Sequence, residues 1–215
     1  MEKKICFLYI NTTNTLFDDN SVILNETLDV NLSNDISKKK LYCFVRLIQL
    51  NYEIGYYDDN YKFITLKKNQ KIVKPHCLAI SNELLLHCNI SENNLLTNSY
   101  SIDLIINEFK DDLNSYAVEI LIGHNMTFNL KTLLAETIRY NLLLDLSKYI
   151  IIDIMNFNHN YEHTKLLDLF IKIRKLKNTD LLNTLDKNKD KLYMIKKIFI
   201  KLYLQYKKNV LESIN

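Results

Sequence analysis

Glycine and proline are nearly missing from this 215-residue chain, which has two of the first and one of the second, where an average protein has about 7% and 5%. That scarcity excludes collagen-like, linker-rich and glycine-loop architectures. It also excludes a Walker loop and a dinucleotide fingerprint, because both need several glycines where backbone approaches phosphate. Turn work falls instead to the abundant asparagines, which tolerate left-handed backbone. Cysteine is scarce as well: Cys6, Cys43, Cys77 and Cys88 do not make a disulfide scaffold in a chain this long, and reduced thiols are expected. No uncharged run approaches the roughly 18 residues of a membrane span. Between Lys4 and Asn11 only the stretch Ile5–Ile10 is apolar or nearly so, shorter than the about 7–15 residues of a secretory h-region. The reading is an intracellular chain, cytoplasmic or nuclear and neither secreted nor membrane-bound. The Asn-x-Ser/Thr matches at Asn25, Asn31, Asn89 and Asn125 are then what an Asn-rich chain produces by chance.

What is present is enough for a core. Apolar residues make up 47% and charged residues 25%, so a globule of this size buries roughly 70% of its unfolded surface. The net charge of +3 conceals a split. Residues 165–208 carry 13 Lys/Arg against 4 Asp/Glu, and the rest of the chain carries 15 against 21. A basic segment in an otherwise acidic chain points to an anionic partner, nucleic acid first; its plain alternative is a solvated helix face.

Ile5–Ile10 reads as a buried opening strand, and residues 18–40, polar and weakly periodic, as a loop or insertion. Leu41–Tyr57 and Tyr61–Val73 read as a β-hairpin around Asp58-Asp59-Asn60. Ser101 is a plausible cap for a helix with Ile102, Ile105, Ile106, Phe109 and Leu113 on one stripe. A short strand, Ala117–Ile122, ends at Gly123 and leads into a helix with Leu130, Leu133, Leu134, Thr137 and Ile138 inward. Tyr149–Ile154 reads as another buried strand. His163–Leu176 and Leu192–Val210 read as helices, the last with Leu192, Ile195, Phe199, Leu202 and Tyr206 inward. This order predicts a single α/β domain over residues 1–215, a mixed central sheet flanked by helices.

The most informative stretch is Ile122-Gly123-His124-Asn125-Met126-Thr127-Phe128-Asn129, with Leu130 and Leu133-Leu134 following. It resembles the second sequence motif of the DnaQ-like (DEDD) 3′–5′ exonucleases, the proofreading and RNase T group. Val45-Arg46-Leu47-Ile48-Gln49-Leu50 resembles that family's second strand. Lys74-Pro75, Ile80 and Ile90-Ser91-Glu92 resemble its central stretch, Tyr149–Met155 its late strand, and Lys165-Leu166 with Asp168-Leu169-Phe170 a following helix. The resemblance runs from residue 3 to about 205 and implies an RNase H-like exonuclease fold.

It also implies two-metal chemistry, in which carboxylates hold two divalent ions about 4 Å apart. Hard Mg²⁺ or Mn²⁺ needs such oxygens, because neutral amides supply no charge. At the matching positions this chain has Asn11 and Thr13 for the first motif and Asn129 for the second. Asp190, or failing that Asp186, is the remaining acid of the third motif, and no His follows His163. Three of four metal carboxylates and the catalytic base are therefore absent, and the resemblance is to a degenerate member, a pseudo-exonuclease with no metal cofactor. Asp18, Asp19 and Asp153 are other acids to weigh; Asp153 with Asp190 makes an unusual single-metal alternative, and surface or capping carboxylates the plain one.

His76-Cys77 and His87-Cys88 invite a zinc reading, but structural ligands are normally spaced by two or more residues, and ordinary half-buried side chains are expected. A thiol nucleophile from Cys6 or Cys43 with His124 has nothing to activate it, and His124 is expected to cap its strand-to-helix turn. The functional expectation is a nucleic-acid-binding or assembly module in replication, repair or transcription. Its cleft would be lined by His124, Asn125 and Phe128, with Lys172, Arg174 and Lys175 holding phosphates of single-stranded DNA or RNA. Two alternatives stand: an active exonuclease using Mg²⁺ or Mn²⁺ through displaced ligands, and a structural subunit binding a protein of a nucleic-acid-processing complex. The Asn- and Lys-rich composition fits AT-rich coding, as in large DNA viruses or AT-rich parasites.

Overall fold

A computed structural model describes residues 3–13, 45–74, 80–157, 164–174 and 191–212. In chain order the elements are β1 (Ile5–Thr12), β2 (Leu47–Tyr57), β3 (Phe63–Val73), α1 (Asn82–Cys88), α2 (Glu92–Thr97), β4 (Ser99–Tyr100), α3 (Ile102–Ser115) and β5 (Ile120–Gly123). Then come α4 (Met126–Arg139), β6 (Ile150–Asp153), a 3-10 turn (Ile154–Phe157), α5 (Leu166–Arg174) and α6 (Lys191–Glu212).

The six strands form one sheet in the order β4-β3-β2-β1-β5-β6. β2 runs antiparallel to β1 and β3, whereas β1, β5 and β6 are mutually parallel. Side chains alternate across a strand, and β1 uses both faces. Cys6, Leu8 and Ile10 join Leu50, Tyr52 and Ile54 against Ile106 and Phe109 of α3 and Leu130 and Leu133 of α4. Ile5 and Phe7 turn to the other face and meet Leu169 and Phe170 of α5 and Ile195, Ile198 and Phe199 of α6. A helix layer on each side of a mixed sheet is the architecture expected from the element order. β1, buried on both faces, reads as a continuous apolar run for that reason.

Both glycines are placed by close approach. A Cβ at Gly123 would stand 2.7 Å from the Leu8 carbonyl oxygen and strike the Met126 sulfur. One at Gly55, beside a bulge in the β2–β3 pairing, would strike the Ile64 carbonyl.

Several details differ from the sequence reading. Ile138 is 56% exposed, because the inward stripe of α4 runs through Asn129, Leu130, Leu133, Glu136 and Thr137. Tyr206 is 63% exposed, the inward stripe of α6 ending at Leu202. Residues 82–88 and 92–97 are short helices capped by the hydroxyls of Ser81 and Ser91. His87 and Cys88 therefore sit on a helix, where neighbours diverge by about 100°, so that Cys88 is buried and His87 exposed. The Ser101 hydroxyl makes no capping hydrogen bond. The expected insertion at 18–40 lies outside the described residues, as do Asp18, Asp19, Cys43, His76, Cys77, Lys175, Asp186 and Asp190.

Candidate functional site

The parallel strands β1 and β5 end at the same edge of the sheet, the edge where open α/β sheets place their ligands. Asn11 lies there, near the end of β1 and on the face that α6 covers. Its amide nitrogen donates to Gln49 Oε1 at 2.6 Å, across the β1–β2 ladder in which the two residues are partners. Gln49 Oε1 also accepts from Asn51 Nδ2 at 3.1 Å. Asn11 Oδ1 accepts from the Tyr9 hydroxyl at 3.0 Å and from Lys191 Nζ at 3.3 Å. The same ammonium donates to the Tyr9 oxygen at 2.7 Å and lies 4.6 Å from the Tyr9 ring centroid. Burial lowers the pKa of Lys191 below its ordinary value and raises that of Tyr9, so the phenol stays a neutral donor. Thr13, the next residue of the same motif, is tied to Arg46: its hydroxyl accepts the Arg46 N–H at 3.0 Å and its own N–H donates to the Arg46 carbonyl.

The turn from β5 into α4 is built around Asp153. One carboxylate oxygen accepts the backbone N–H groups of Asn125 and Met155, each at 3.0 Å, and the other accepts that of Met126 at 2.7 Å. Asn125 takes left-handed backbone, φ 57°, and its own side chain does not cap the helix. Asp153 is thus the capping group that the sequence reading held beside the metal alternative, and it does the work expected of His124. That histidine turns elsewhere, donating from Nε2 to the Thr164 carbonyl at 2.7 Å. Burial lowers its pKa, with the Thr164 contact and the Asp153 charge pulling the other way. Asn129 is buried and donates from Nδ2 to the His124 carbonyl at 3.2 Å. Phe128, half-buried, packs against the core cluster under α3 and α4. On α5, Lys172 and Arg174 are exposed on either side of buried Ile173, and the Arg174 guanidinium lies 5.8 Å from the Phe170 ring centroid.

These groups do not fit a divalent metal. Asn11 and Asn129 offer amides, the Thr13 hydroxyl is committed to Arg46, and a positive ammonium already sits on Asn11 Oδ1. Both oxygens of Asp153 are taken by backbone N–H groups, and among the described residues no cluster of three or more His, Cys, Asp or Glu could hold a metal ion.

Sequence reasoning did not single out Tyr9, Gln49, Lys191, or the buried Glu136, which accepts from Arg46 Nε and the Leu47 N–H, both at 3.0 Å. The register of β2 against β1 carried the signal for Gln49, because Asn11 is its ladder partner.

No family model matches the sequence, and no curated protein matches it. Solved structures do match the fold. A 3′-exonuclease described in specific recognition of the histone mRNA stem-loop superposes with a TM-score of 0.64 at 12% identity, covering 94% of this chain and 63% of that one. A full-length 3′-exonuclease gives 0.64 at 10% identity, covering 96% and 83%. A product-bound exonuclease I gives 0.60 at 10% identity, covering 94% and 43%. The fold is that of the 3′–5′ exonucleases, RNase H-like, as the motif resemblance implied. The chain spans less than two thirds of the first and less than half of the third.

Proposed function

We propose that this protein is an exonuclease fold that holds a nucleic-acid strand, DNA or RNA, without cutting it, as a binding or assembly module in replication, repair or transcription. The observation that carries the reading is the Lys191–Asn11 contact. Where the family resemblance places the first metal carboxylate, this chain has an amide whose oxygen already receives an ammonium. Nucleophilic attack at phosphorus at this position would need a metal to activate water and to stabilise the leaving oxygen, and the local charge opposes one. The same replacement removes the repulsion between carboxylates and phosphate, which favours binding by hydrogen bonds and lysines alone.

Further support comes from charge. Lys172 and Arg174 extend from α5 into solvent, and α6 adds Lys197 and Lys201 among its exposed positions. The neighbours of this fold include a protein recognising an mRNA stem-loop and one solved with a dT13 oligonucleotide; another was solved with a single-strand-binding-protein C-terminal segment, which makes a protein partner compatible with the fold.

The reading is tested by fluorescence anisotropy of labelled single-stranded DNA and RNA over a salt series. Retention that weakens linearly in log–log salt supports it, and joint replacement of Lys172, Arg174 and Lys175 by alanine should flatten that dependence. Absence of retention at low salt would leave the structural-subunit alternative in its place.

A further inference from the structure

Two lysines of α6 face the sheet, and they are treated differently. Lys196 meets the buried Glu53 carboxylate at 2.7 Å, a closed ion pair. Lys191 has no carboxylate among the described residues; its contacts are the Tyr9 hydroxyl and the Asn11 amide oxygen, both neutral. An ammonium has three protons to donate, and the described residues use two of them.

The cluster behind it is short of acceptors too. Asn11 and Asn51 both spend their amide protons on the single oxygen Gln49 Oε1, and the Gln49 amide nitrogen is buried with no hydrogen-bond partner. The Tyr9 proton goes to Asn11 Oδ1, which Lys191 already uses. Every hydrogen bond in the group consumes an acceptor, and the buried atom of the group left without a partner, Gln49 Nε2, is a donor. Buried donors without acceptors are costly, and such a group is completed by an anion with several oxygens. The surroundings have the matching sign: besides burial, the charges of Lys191 and Lys165 lower the pKa of His87. Lys191 itself is half-buried, and burial lowers the pKa of its ammonium below the ordinary value.

We infer that Lys191, positioned by Tyr9 and Asn11, is the anchor of an anion site that takes a backbone phosphate of the bound strand directly, with no metal ion between them. This rests on the proposed nucleic-acid reading and specifies its ligand chemistry. A phosphodiester supplies two non-bridging oxygens, acceptors for the ammonium proton that the described residues do not use. The neutral Asn11 is needed for this: an aspartate there would close an ion pair with Lys191, as Glu53 does with Lys196, and withdraw the charge from the ligand.

The experiment uses the full chain, a 5′-fluorescein single-stranded 12-mer and excess EDTA, with anisotropy read across a salt series. Lys191→Met keeps the stem and removes the charge; Lys191→Gln serves the same purpose should the Met variant fail to fold, and Lys191→Arg keeps the charge. Losing a charge-assisted contact should weaken retention roughly 10-fold or more and lower the salt slope by about 0.7. Arginine should restore most of both. Unmodified protein that binds in EDTA while the neutral variants match it in affinity and slope would overturn the Lys191 site and leave the nucleic-acid reading standing. Binding that appears only on adding Mg²⁺ would overturn the metal-free contact. No binding by the unmodified protein under either condition would overturn the nucleic-acid reading and this site with it. Inorganic phosphate should compete only as an equal ionic strength of chloride does; displacement at micromolar phosphate would assign the site to small phosphates and overturn the backbone assignment.

Discussion

The carboxylate of Asp153, at the end of β6, receives the first backbone N–H of α4, that of Met126, at 2.7 Å. With Asn125 and Met155 also donating to it, one side chain ties the helix that starts after β5 to the neighbouring strand. A negative charge at a helix start also opposes the helix dipole favourably. Asp153→Asn keeps one acceptor oxygen and turns an NH₂ group towards backbone donors. It should cost about 1–3 kcal/mol, read as a lowered urea midpoint with unchanged slope, and the loss should be the same with and without Mg²⁺. A Mg²⁺-dependent stability that the variant abolishes would mean Asp153 is a metal ligand after all.

Glu136 supports the site from the other side of the sheet. It is 1% exposed, accepts from Arg46 Nε and the Leu47 N–H, and forms an ion pair with Arg139 at 2.8 Å. Since Arg46 also supplies the backbone partners of Thr13, this carboxylate holds β2 where it meets the end of β1. Glu136→Ala leaves Arg46 Nε and the Leu47 N–H without this acceptor and should destabilise by roughly 3 kcal/mol, measurable by denaturant unfolding. A change below about 0.5 kcal/mol, the size of an ordinary surface substitution, would contradict this placement.

Gly123 is required by packing, and its substitution tests the β5–α4 turn. Gly123→Ala pushes a methyl group towards the Leu8 carbonyl and the Met126 sulfur. Overpacking of this kind costs about 1–3 kcal/mol. Met126→Ala in the same chain should recover part of it by clearing the flexible neighbour, and a fully additive double variant would contradict the proposed clash.

His124 makes stability depend on pH. Burial places its folded pKa below the ordinary 6.5, so the unfolded chain binds the proton first as pH falls. Its contribution is fully present above 6.5 and is lost as pH drops towards the folded value. His87 shifts in the same direction, so the comparison must be between variants. The unmodified chain should lose more stability between pH 7.5 and 5, values bracketing the ordinary histidine pKa of about 6.5, than His124→Gln does. Parallel curves would contradict the assignment.

Much of the fold was legible because its elements bury whole faces. β1 is apolar or nearly so from Ile5 to Ile10, and α3 repeats Ile102, Ile105, Ile106, Phe109 and Leu113 at the helical period; those five are buried as expected. The short α1 and α2 were missed because helices of seven and six residues span at most two turns and leave little periodicity to detect; Ser81 and Ser91 were the available signals. Of the site, the β5–α4 turn stood out through its motif, whereas its capping partner Asp153 lies 27 residues downstream of Met126. Lys191 was invisible for a stronger reason. A lysine in a basic segment reads as solvated, and its contact with Asn11 spans 180 residues, a relation that only the folded sheet brings about.

The most direct test of the account is a trimming assay. End-labelled single-stranded DNA and RNA are incubated with the unmodified protein in Mg²⁺, in Mn²⁺ and in EDTA, and both strand length and retention are read from the same tube. The account predicts salt-sensitive retention in all three media with every strand left at full length. Metal-dependent shortening from the 3′ end by the unmodified protein would contradict it.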